Sequence, residues 1–216
     1  MKKIIILLLS SLFAFTSASA VGLKAGIGGT TSVFHATGQD NENGELSHED
    51  ATGVVGYAHI FVEVHLNDRF GIGINYSPDA LSSETADEVV SDVDGTETSN
   101  SNKTNATQVD FEDLTQVYLA LNLGENLYAR AGMVAVDVIT NESLATGSQY
   151  DNTDMDGTVF GLGYDRELDN GIFFRVEGAY MEFDDKSLTS TTNSENTITL
   201  KDLQGASASI SIGKAF

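Results

Sequence analysis

The sequence contains no cysteine, and only 11 of its 216 residues are lysine or arginine. Without cysteine the chain cannot form disulfides, zinc–thiolate sites or a thiol nucleophile. Aspartate and glutamate number 32, which gives a formal net charge of −21 at pH 7. Because this charge repels polyphosphate, the sequence predicts that nucleic acid is not a partner, whereas divalent cations and cationic partners are compatible.

After residue 20 the chain also lacks an apolar run of the roughly 20 residues that a membrane-spanning helix needs. The first 20 residues have a different pattern, in which two lysines precede an apolar run over about 4–15 and the small residues Ala18-Ser19-Ala20 follow it. The run is too short to cross a bilayer, so it predicts a Sec-type signal peptide over residues 1–20, cleaved after Ala20. Residues 21–216 then form one domain, whose net charge becomes −23 because Lys2 and Lys3 are lost.

Apolar residues recur at every second position in six segments and less regularly in two more, 22–35 and 127–139. This is the period of a β-strand and not of a helix. In residues 70–76, for example, Phe70, Ile72 and Ile74 share one face while Gly71 and Gly73 share the other. The eight predicted strands lie at about 22–35, 57–66, 70–76, 116–123, 127–139, 160–165, 172–183 and 206–216.

The connections between these strands alternate between short and long. The short ones, 67–69, 124–126 and 169–171, are rich in Gly, Asn and Asp and predict hairpin turns. The long ones are polar and lie at about 37–51, 79–107, 141–156 and 184–198. Outer-membrane barrels have tight turns on the periplasmic side and long loops outside, so the pattern predicts an all-β fold, an eight-stranded antiparallel up-and-down transmembrane β-barrel.

Two soluble folds compete with this prediction. A soluble β-sandwich would not explain why loop length follows the side of the sheet. A soluble lipocalin-like barrel has the same period with its apolar faces turned inward. The clustering of glycine, serine and charged residues on the predicted inner face favours the membrane barrel over the lipocalin-like barrel.

The C-terminal segment ASISIGKAF ends on Phe216, with Ile210 and Ile212 in step with it. It resembles the β-signal that the outer-membrane assembly machinery recognises. With the signal peptide and turn pattern, it makes the mature chain resemble the small OmpA/OmpX-like outer-membrane β-barrel family. The resemblance implies a monomer in the Gram-negative outer membrane, with lipids and lipopolysaccharide as partners and the assembly machinery during biogenesis. The chain departs from the family at Lys214 and in having no tryptophan.

Several charged residues fall on the inward faces of the predicted strands. They are Lys24, Glu63, Arg130, Arg175 and Glu177. Buried charges are tolerated only when paired, so this set predicts a lumenal salt-bridge network. Eight strands leave an interior that side chains nearly fill, which makes the network a structural plug. The small residues on the same face, such as Gly71, Gly161 and Ser209, keep a narrow, cation-preferring passage open as an alternative.

The predicted long loops carry many carboxylates, which suit Ca²⁺ or Mg²⁺. Asp92-Val93-Asp94-Gly95 and Asp154-Met155-Asp156-Gly157 each resemble a fragment of a calcium loop. The closing glutamate and the flanking helices of such a loop are missing from both fragments. We therefore predict a solvated, mobile acidic surface and no cofactor, with weak Ca²⁺ or Mg²⁺ binding at the loops as the alternative.

Catalytic arrangements are weak in this sequence. His59 and His65 share the inward face with Glu63, but their spacing along one strand prevents all three from converging on one atom. A Ser-His-acid hydrolase, as in lipid-A-modifying barrels, needs held partners, whereas Ser47-His48-Glu49 falls in a predicted mobile loop. The sequence predicts a non-catalytic integral outer-membrane protein with a structural or surface-interaction role. A narrow porin is the alternative, and an outer-membrane lipid enzyme comes third.

Overall fold

The computed structural model describes residues 22–42, 45–78, 81–82, 86–91, 102–143 and 148–216. No helix within these ranges is long and apolar enough to cross a membrane. The predicted signal peptide and the acidic pair Asp92 and Asp94 lie outside the described residues. The strands are β1 (Gly22–Glu42), β2 (Glu45–His65), β3 (Phe70–Ser77), β4 (Leu81–Ser82), β5 (Ala86–Ser91), β6 (Asn102–Asn122), β7 (Leu127–Ser143), β8 (Thr153–Glu167), β9 (Ile172–Phe183), β10 (Lys186–Thr189) and β11 (Thr197–Ala215).

Eight of the strands described form a closed antiparallel ring in the order β1, β2, β3, β6, β7, β8, β9, β11, because β11 pairs with β1. The short strands β4 and β5 pair with β6, and β10 pairs with β11. Following paired residues once around the wall from Asp156 leads back to β8 at Arg166, a stagger of ten residues. That stagger over eight strands corresponds to a strand tilt of about 40°. The predicted eight-stranded up-and-down barrel is confirmed.

The three short turns lie where the sequence predicts them, at the end of the barrel that carries Gly22 and Phe216. The Asn67 side chain accepts hydrogen bonds from the backbone N–H groups of Arg69 and Phe70, both at 2.9 Å. Gly171 has φ of 80°, and its N–H donates to the Leu168 carbonyl at 2.8 Å. The asparagine side chain and the positive φ of glycine therefore stabilise these turns, as the turn composition predicts.

A band of apolar side chains covers the outside of the wall. At this tilt each residue rises about 2.5 Å along the barrel axis, so ten residues span about 25 Å, the usual height of the apolar band in outer-membrane barrels. The exposed members of the band include Leu23, Ile27, Ile60, Phe70, Leu119, Met133, Phe160, Leu162, Phe174, Val176, Ile210 and Ile212. Apolar faces therefore point outward, as the sequence predicts.

The interior is filled at two levels. A polar layer of charged and aromatic side chains occupies the half near the short turns. Towards the other end lies an apolar layer composed of Leu114, Val134, Val136, Val138, Met155, Val159, Met181, Phe183 and Leu203. The sequence predicts a cluster of small and charged residues on the inner face, and the apolar layer in the upper half of the lumen is not part of that prediction.

Much of what the sequence predicts as loop is a continuation of the wall. The pairing of β1 with β2 runs without a shift from Gly22–His65 to Glu42–Glu45, so the predicted loop 37–51 is mostly a hairpin. The other predicted loops are shortened by β5, β6, β7, β8 and β10. Both faces of such a strand extension can contact water, so its residues do not alternate between apolar and polar. The sequence pattern therefore does not predict a strand there. Thr37 Oγ1 instead donates to Asp50 Oδ1 across the strands at 2.8 Å.

Two connections at the long-loop end are joined to each other. Asn196 Nδ2 donates to Ser148 Oγ at 2.9 Å, and Thr191 N–H donates to the Gln149 carbonyl at 2.8 Å. Ser190 Oγ accepts a hydrogen bond from the Gln149 N–H at 3.2 Å. These bonds link residues more than 40 positions apart, so the two connections are held together by contacts that the sequence does not predict.

Candidate functional site in the barrel lumen

Glu63 lies at the centre of the polar layer. Its side chain points inward from β2 and is 1% exposed. Arg175 donates to it through Nη1 at 3.3 Å and Nη2 at 3.4 Å, and the Tyr118 hydroxyl donates at 3.1 Å. His65 Nε2 lies 2.7 Å from the second carboxylate oxygen. Both oxygens of Glu63 therefore have partners, as a buried carboxylate requires.

Arg175 connects Glu63 to the end of the lumen that carries the short turns. Its Nη2 also donates to Asp165 at 2.9 Å, and Lys24 Nζ donates to the same Asp165 oxygen at 3.0 Å. The guanidinium carbon lies 4.7 Å from the centre of the Phe61 ring and 4.6 Å from that of Tyr128. The charge is therefore held both by carboxylates and by aromatic faces.

A second ion pair lies higher in the same layer. Arg130 Nη2 is 2.7 Å from Glu177 Oε1, and Arg130 Nη1 donates to Gln116 Oε1 at 2.7 Å. The Tyr128 hydroxyl donates to the other oxygen of Glu177 at 2.5 Å. The Arg130 guanidinium also lies 4.7 Å from the centre of the Tyr118 ring. The two tyrosines thus connect the upper and lower ion pairs.

The structure places all five charged residues named from the sequence on the inner wall. Glu63 pairs with Arg175, Arg130 pairs with Glu177, and Lys24 joins through Asp165. The network also contains four residues that are not among those predicted for it: Asp165, Tyr118, Tyr128 and Gln116. Their positions alternate in phase with the inward residues of β6, β7 and β8, and that phase is the signal that could have found them.

The inward glycines provide room for rings and do not leave a void. A Cβ atom built on Gly73 would lie 2.4 Å from the Tyr118 ring, and one on Gly163 would lie 2.4 Å from the Tyr128 ring. Each tyrosine thus lies flat over a glycine of the neighbouring strand. Tyrosine rings therefore fill the space beside Gly73 and Gly163, where small inward residues would otherwise favour a passage.

We expect Gly73→Ala to destabilise the barrel by about 1–3 kcal/mol, because the added methyl group overpacks the site and displaces Tyr118 from Glu63. The control is Gly29→Ala, since a Cβ there meets no atom within 4 Å. Urea unfolding in lipid bilayers, followed by electrophoretic mobility, measures the difference. Equal stability of the two variants would contradict the close contact of ring and glycine.

His59 lies between hydroxyl groups of β1 and β11. His59 is 4% exposed, with Nδ1 3.0 Å from Thr30 Oγ1 and Nε2 3.1 Å from Ser211 Oγ. Both ring nitrogens therefore contact hydroxyl groups and not a carboxylate. Ser47, His48 and Glu49 are consecutive residues of β2, so their side chains point alternately to opposite faces and do not converge.

Asp154 and Asp156 lie on the outward side of β8, just above the apolar band. Glu182 and Asp184 extend the same side of β9, and the Asp184 N–H donates to the Asp156 carbonyl at 2.8 Å. We call these four residues the acidic rim. The calcium-loop prediction placed Asp154 and Asp156 in a loop, whereas they lie in a strand with Met155 buried between them. In the part of the chain that the structure describes, no three His, Cys, Asp or Glu side chains are placed to hold a metal ion.

Phe216 lies beside the start of the first strand. Its N–H donates to the Leu23 carbonyl at 2.8 Å, and the Lys214 ammonium lies 5.9 Å from the centre of its ring. The Phe216 side chain is 72% exposed on the outside of the wall. The terminal strand therefore helps to close the ring, and its last side chain points away from the lumen.

A closed antiparallel ring, an outward apolar band and a filled lumen that contains buried ion pairs together define a membrane-spanning β-barrel. The family described as "Outer membrane protein beta-barrel domain" matches residues 4–212, and the chain belongs to this family. The comparison with curated proteins finds no match.

Solved structures with the same fold include two outer-membrane proteins. One is AlkL, solved in lipid bilayers, with 16% identity and a TM-score of 0.60 over 93% of each chain. Another is OprG from Pseudomonas aeruginosa, with 15% identity and a TM-score of 0.57 over 91% of this chain and 96% of that one. At such identities the likeness extends to the fold alone.

Proposed function

We propose that this protein is a non-catalytic, integral outer-membrane barrel with a closed lumen, which supports the membrane and presents an acidic surface to the medium. The apolar layer is the observation that carries the proposal. Val134, Val159 and Met181 are each at most 1% exposed, and they cross the lumen above the ion pairs. Ions lose their hydration at such a layer and gain no polar partner, so it opposes conduction.

Below the apolar layer the lumen favours some hydration. Arg130 Nε, Arg175 Nε and Asp165 Oδ1 are buried without a hydrogen-bond partner in the described residues. Such atoms are usually satisfied by water, which would enter from the short-turn end. The lower half of the lumen is then a hydrated polar cavity that is closed at its upper end by the apolar layer. This hydrated half is the feature that favours the alternative function, a narrow porin.

Planar-bilayer conductance tests the closed lumen. We expect no discrete openings from the purified, folded protein at any salt concentration, under conditions in which a general porin inserts and conducts. Insertion is verified by recovering folded protein from the same bilayers. Discrete, cation-selective openings would contradict the proposal and support the porin. A mass shift of lipid A on overexpression would instead support an enzyme.

We also propose that the protein contacts lipopolysaccharide through divalent cations at the acidic rim. Asp154, Glu182 and Asp184 are exposed at the upper edge of the apolar band, where lipid phosphates lie. The rim does not by itself surround an ion, so phosphate oxygens would supply the remaining ligands. This arrangement fits weak Ca²⁺ or Mg²⁺ binding and no resident cofactor.

The expected result is a rise in thermal stability on adding millimolar Mg²⁺ to the protein in lipopolysaccharide-containing bilayers. We expect the rise to shrink in the double variant Asp154→Asn with Glu182→Gln, and to be unchanged in Glu167→Gln at the opposite end of the barrel. An equal Mg²⁺ effect in all three proteins would remove the rim from the proposal.

Export and assembly complete the proposal. Residues 1–20 act as a cleaved Sec-type signal peptide, and Phe216 acts in the terminal β-signal during insertion, after which the barrel stays monomeric. The intact mass of outer-membrane material should correspond to a chain that begins at Val21. Replacement of Phe216 by serine should lower the amount assembled. A mature chain that keeps residues 1–20 would contradict the export step.

A further inference from the structure

The upper part of β2 is a strand edge without a backbone partner in the described part of the chain. Pairing of β2 with β3 ends at Ile60 and Tyr76. One step above, Ser77 Oγ donates to the Ala58 carbonyl at 2.6 Å. From there to Glu45, the described pairing of β2 is with β1 alone.

The direction of the free groups follows from the alternation of the backbone. Ala58 turns its carbonyl towards β3, and Leu66 donates its N–H to Phe70 on the same side. In an antiparallel strand, every second residue faces the same neighbour. The residues whose N–H and C=O groups point to the unpaired side are therefore Leu46, His48, Asp50, Thr52, Val54 and Gly56, which we call the free edge.

The free edge lacks the sequence features that usually protect strand edges, although β4 lies near β2. Proteins blunt such edges with lysine, proline, bulges or a covering segment, because open N–H and C=O groups pair readily with another chain. The free edge has no lysine and no proline, and its register with β1 has no bulge. Residues 46–54 are exposed on both faces of the sheet, including Leu46 at 55% and Val54 at 70%.

The charge of the hairpin indicates which partner fits. Residues 33–56 contain five carboxylates, Asp40, Glu42, Glu45, Glu49 and Asp50, and no lysine or arginine. A second copy that paired along the same edge would bring two negatively charged hairpins together, which is unfavourable. An extended segment with lysine or arginine at alternate positions would satisfy the backbone groups and the charges together.

We propose that the free edge binds an extended, basic segment of another protein by addition of a β-strand. This deepens the surface role of the proposed function, since it names where the partner binds and by what chemistry. The closed lumen is tested separately by conductance. A failure to bind peptide would therefore leave that part of the proposed function intact.

The test uses the full mature chain in nanodiscs and a fluorescent ten-residue peptide of alternating lysine and valine. We expect saturable binding that weakens as salt rises, and at least tenfold weaker binding of the matched glutamate–valine peptide. Thr52→Pro removes one edge N–H without removing a ladder bond to β1, and should weaken binding at least tenfold. Thr52→Ala, which loses the same hydroxyl but keeps the N–H, should bind like the wild type.

A second measurement does not depend on the folding of the proline variant. NMR of the wild-type protein should show that the peptide slows hydrogen exchange at Leu46, His48, Asp50, Thr52 and Val54, while the odd-numbered amides between them change little. Equal binding of the two peptides, or protection without this alternation, would overturn the proposal. Self-association that Thr52→Pro abolishes would also overturn it, because the occupant would then be a second copy.

Discussion

Replacing Glu63 with alanine should destabilise the barrel by about 3–5 kcal/mol, because the change leaves Arg175 buried with only part of its countercharge. Arg175 would keep Asp165, but Asp165 is already shared with Lys24. The Tyr118 hydroxyl would lose its acceptor as well. Few single changes in this lumen remove as many contacts at once.

The measurement is urea unfolding of the protein in phosphatidylcholine bilayers, followed by electrophoretic mobility, since the chain has no tryptophan to report by fluorescence. The control is Glu167→Gln, whose side chain is 47% exposed and lies 3.8 Å from Lys24. We expect that control to cost less than about 1 kcal/mol. If both variants lose the same stability, the buried ion pair is not what stabilises the lumen.

Met181→Ala should cost about 2–5 kcal/mol, because it opens a cavity in the apolar layer that the rigid wall cannot close. Met181 is 1% exposed and packs among the side chains of the layer. Met133 offers a matched control, since it is 60% exposed on the outside of the same barrel. Lipid chains can refill the space that Met133→Ala leaves, so we expect a loss below about 1 kcal/mol.

The same unfolding assay compares the two methionine variants directly. A larger loss of stability for Met133→Ala than for Met181→Ala would mean that Met133 faces the lumen and Met181 faces the lipid, contrary to the structure. It would also remove the basis for a lumen closed by apolar packing. Conductance shows whether the lumen is closed, and the unfolding assay shows how tightly Met181 is packed. The two measurements together therefore distinguish a loosely packed apolar layer from an absent one.

The upper lumen shows why part of the candidate site was not predictable. Along β7, the inward positions change from Tyr128 and Arg130 to Val134, Val136 and Val138. From Leu127 to Ala135 the outward positions of the same strand are apolar or small, so the alternation of polar and apolar residues disappears where the inward positions become apolar as well. Without the partner strands, nothing in the sequence indicates that these valines meet Met181 and Leu203 across the lumen.

The loops show the opposite difficulty. Above the membrane both faces of β1 and β2 can meet water, so residues 37–51 contain polar side chains on both sides and resemble a loop. Their strand structure comes from backbone pairing, which any sequence without proline permits. The predicted bounds of this loop are wrong for this reason. The predicted short turns are correct because Asn67 and Gly171 determine the backbone of their own turns.

The sequence by itself determined the number of wall strands, the face of each that meets lipid, and the end that carries the short turns. Those features follow from a period of two and from local turn chemistry, which depend on near neighbours in the chain. Only the tertiary structure decided that Lys24 is linked to Glu63 through Asp165 and Arg175, that tyrosines cover inward glycines, and that an apolar layer crosses the lumen. These depend on the ten-residue stagger of the closed barrel, which sets the side chains that meet across its interior.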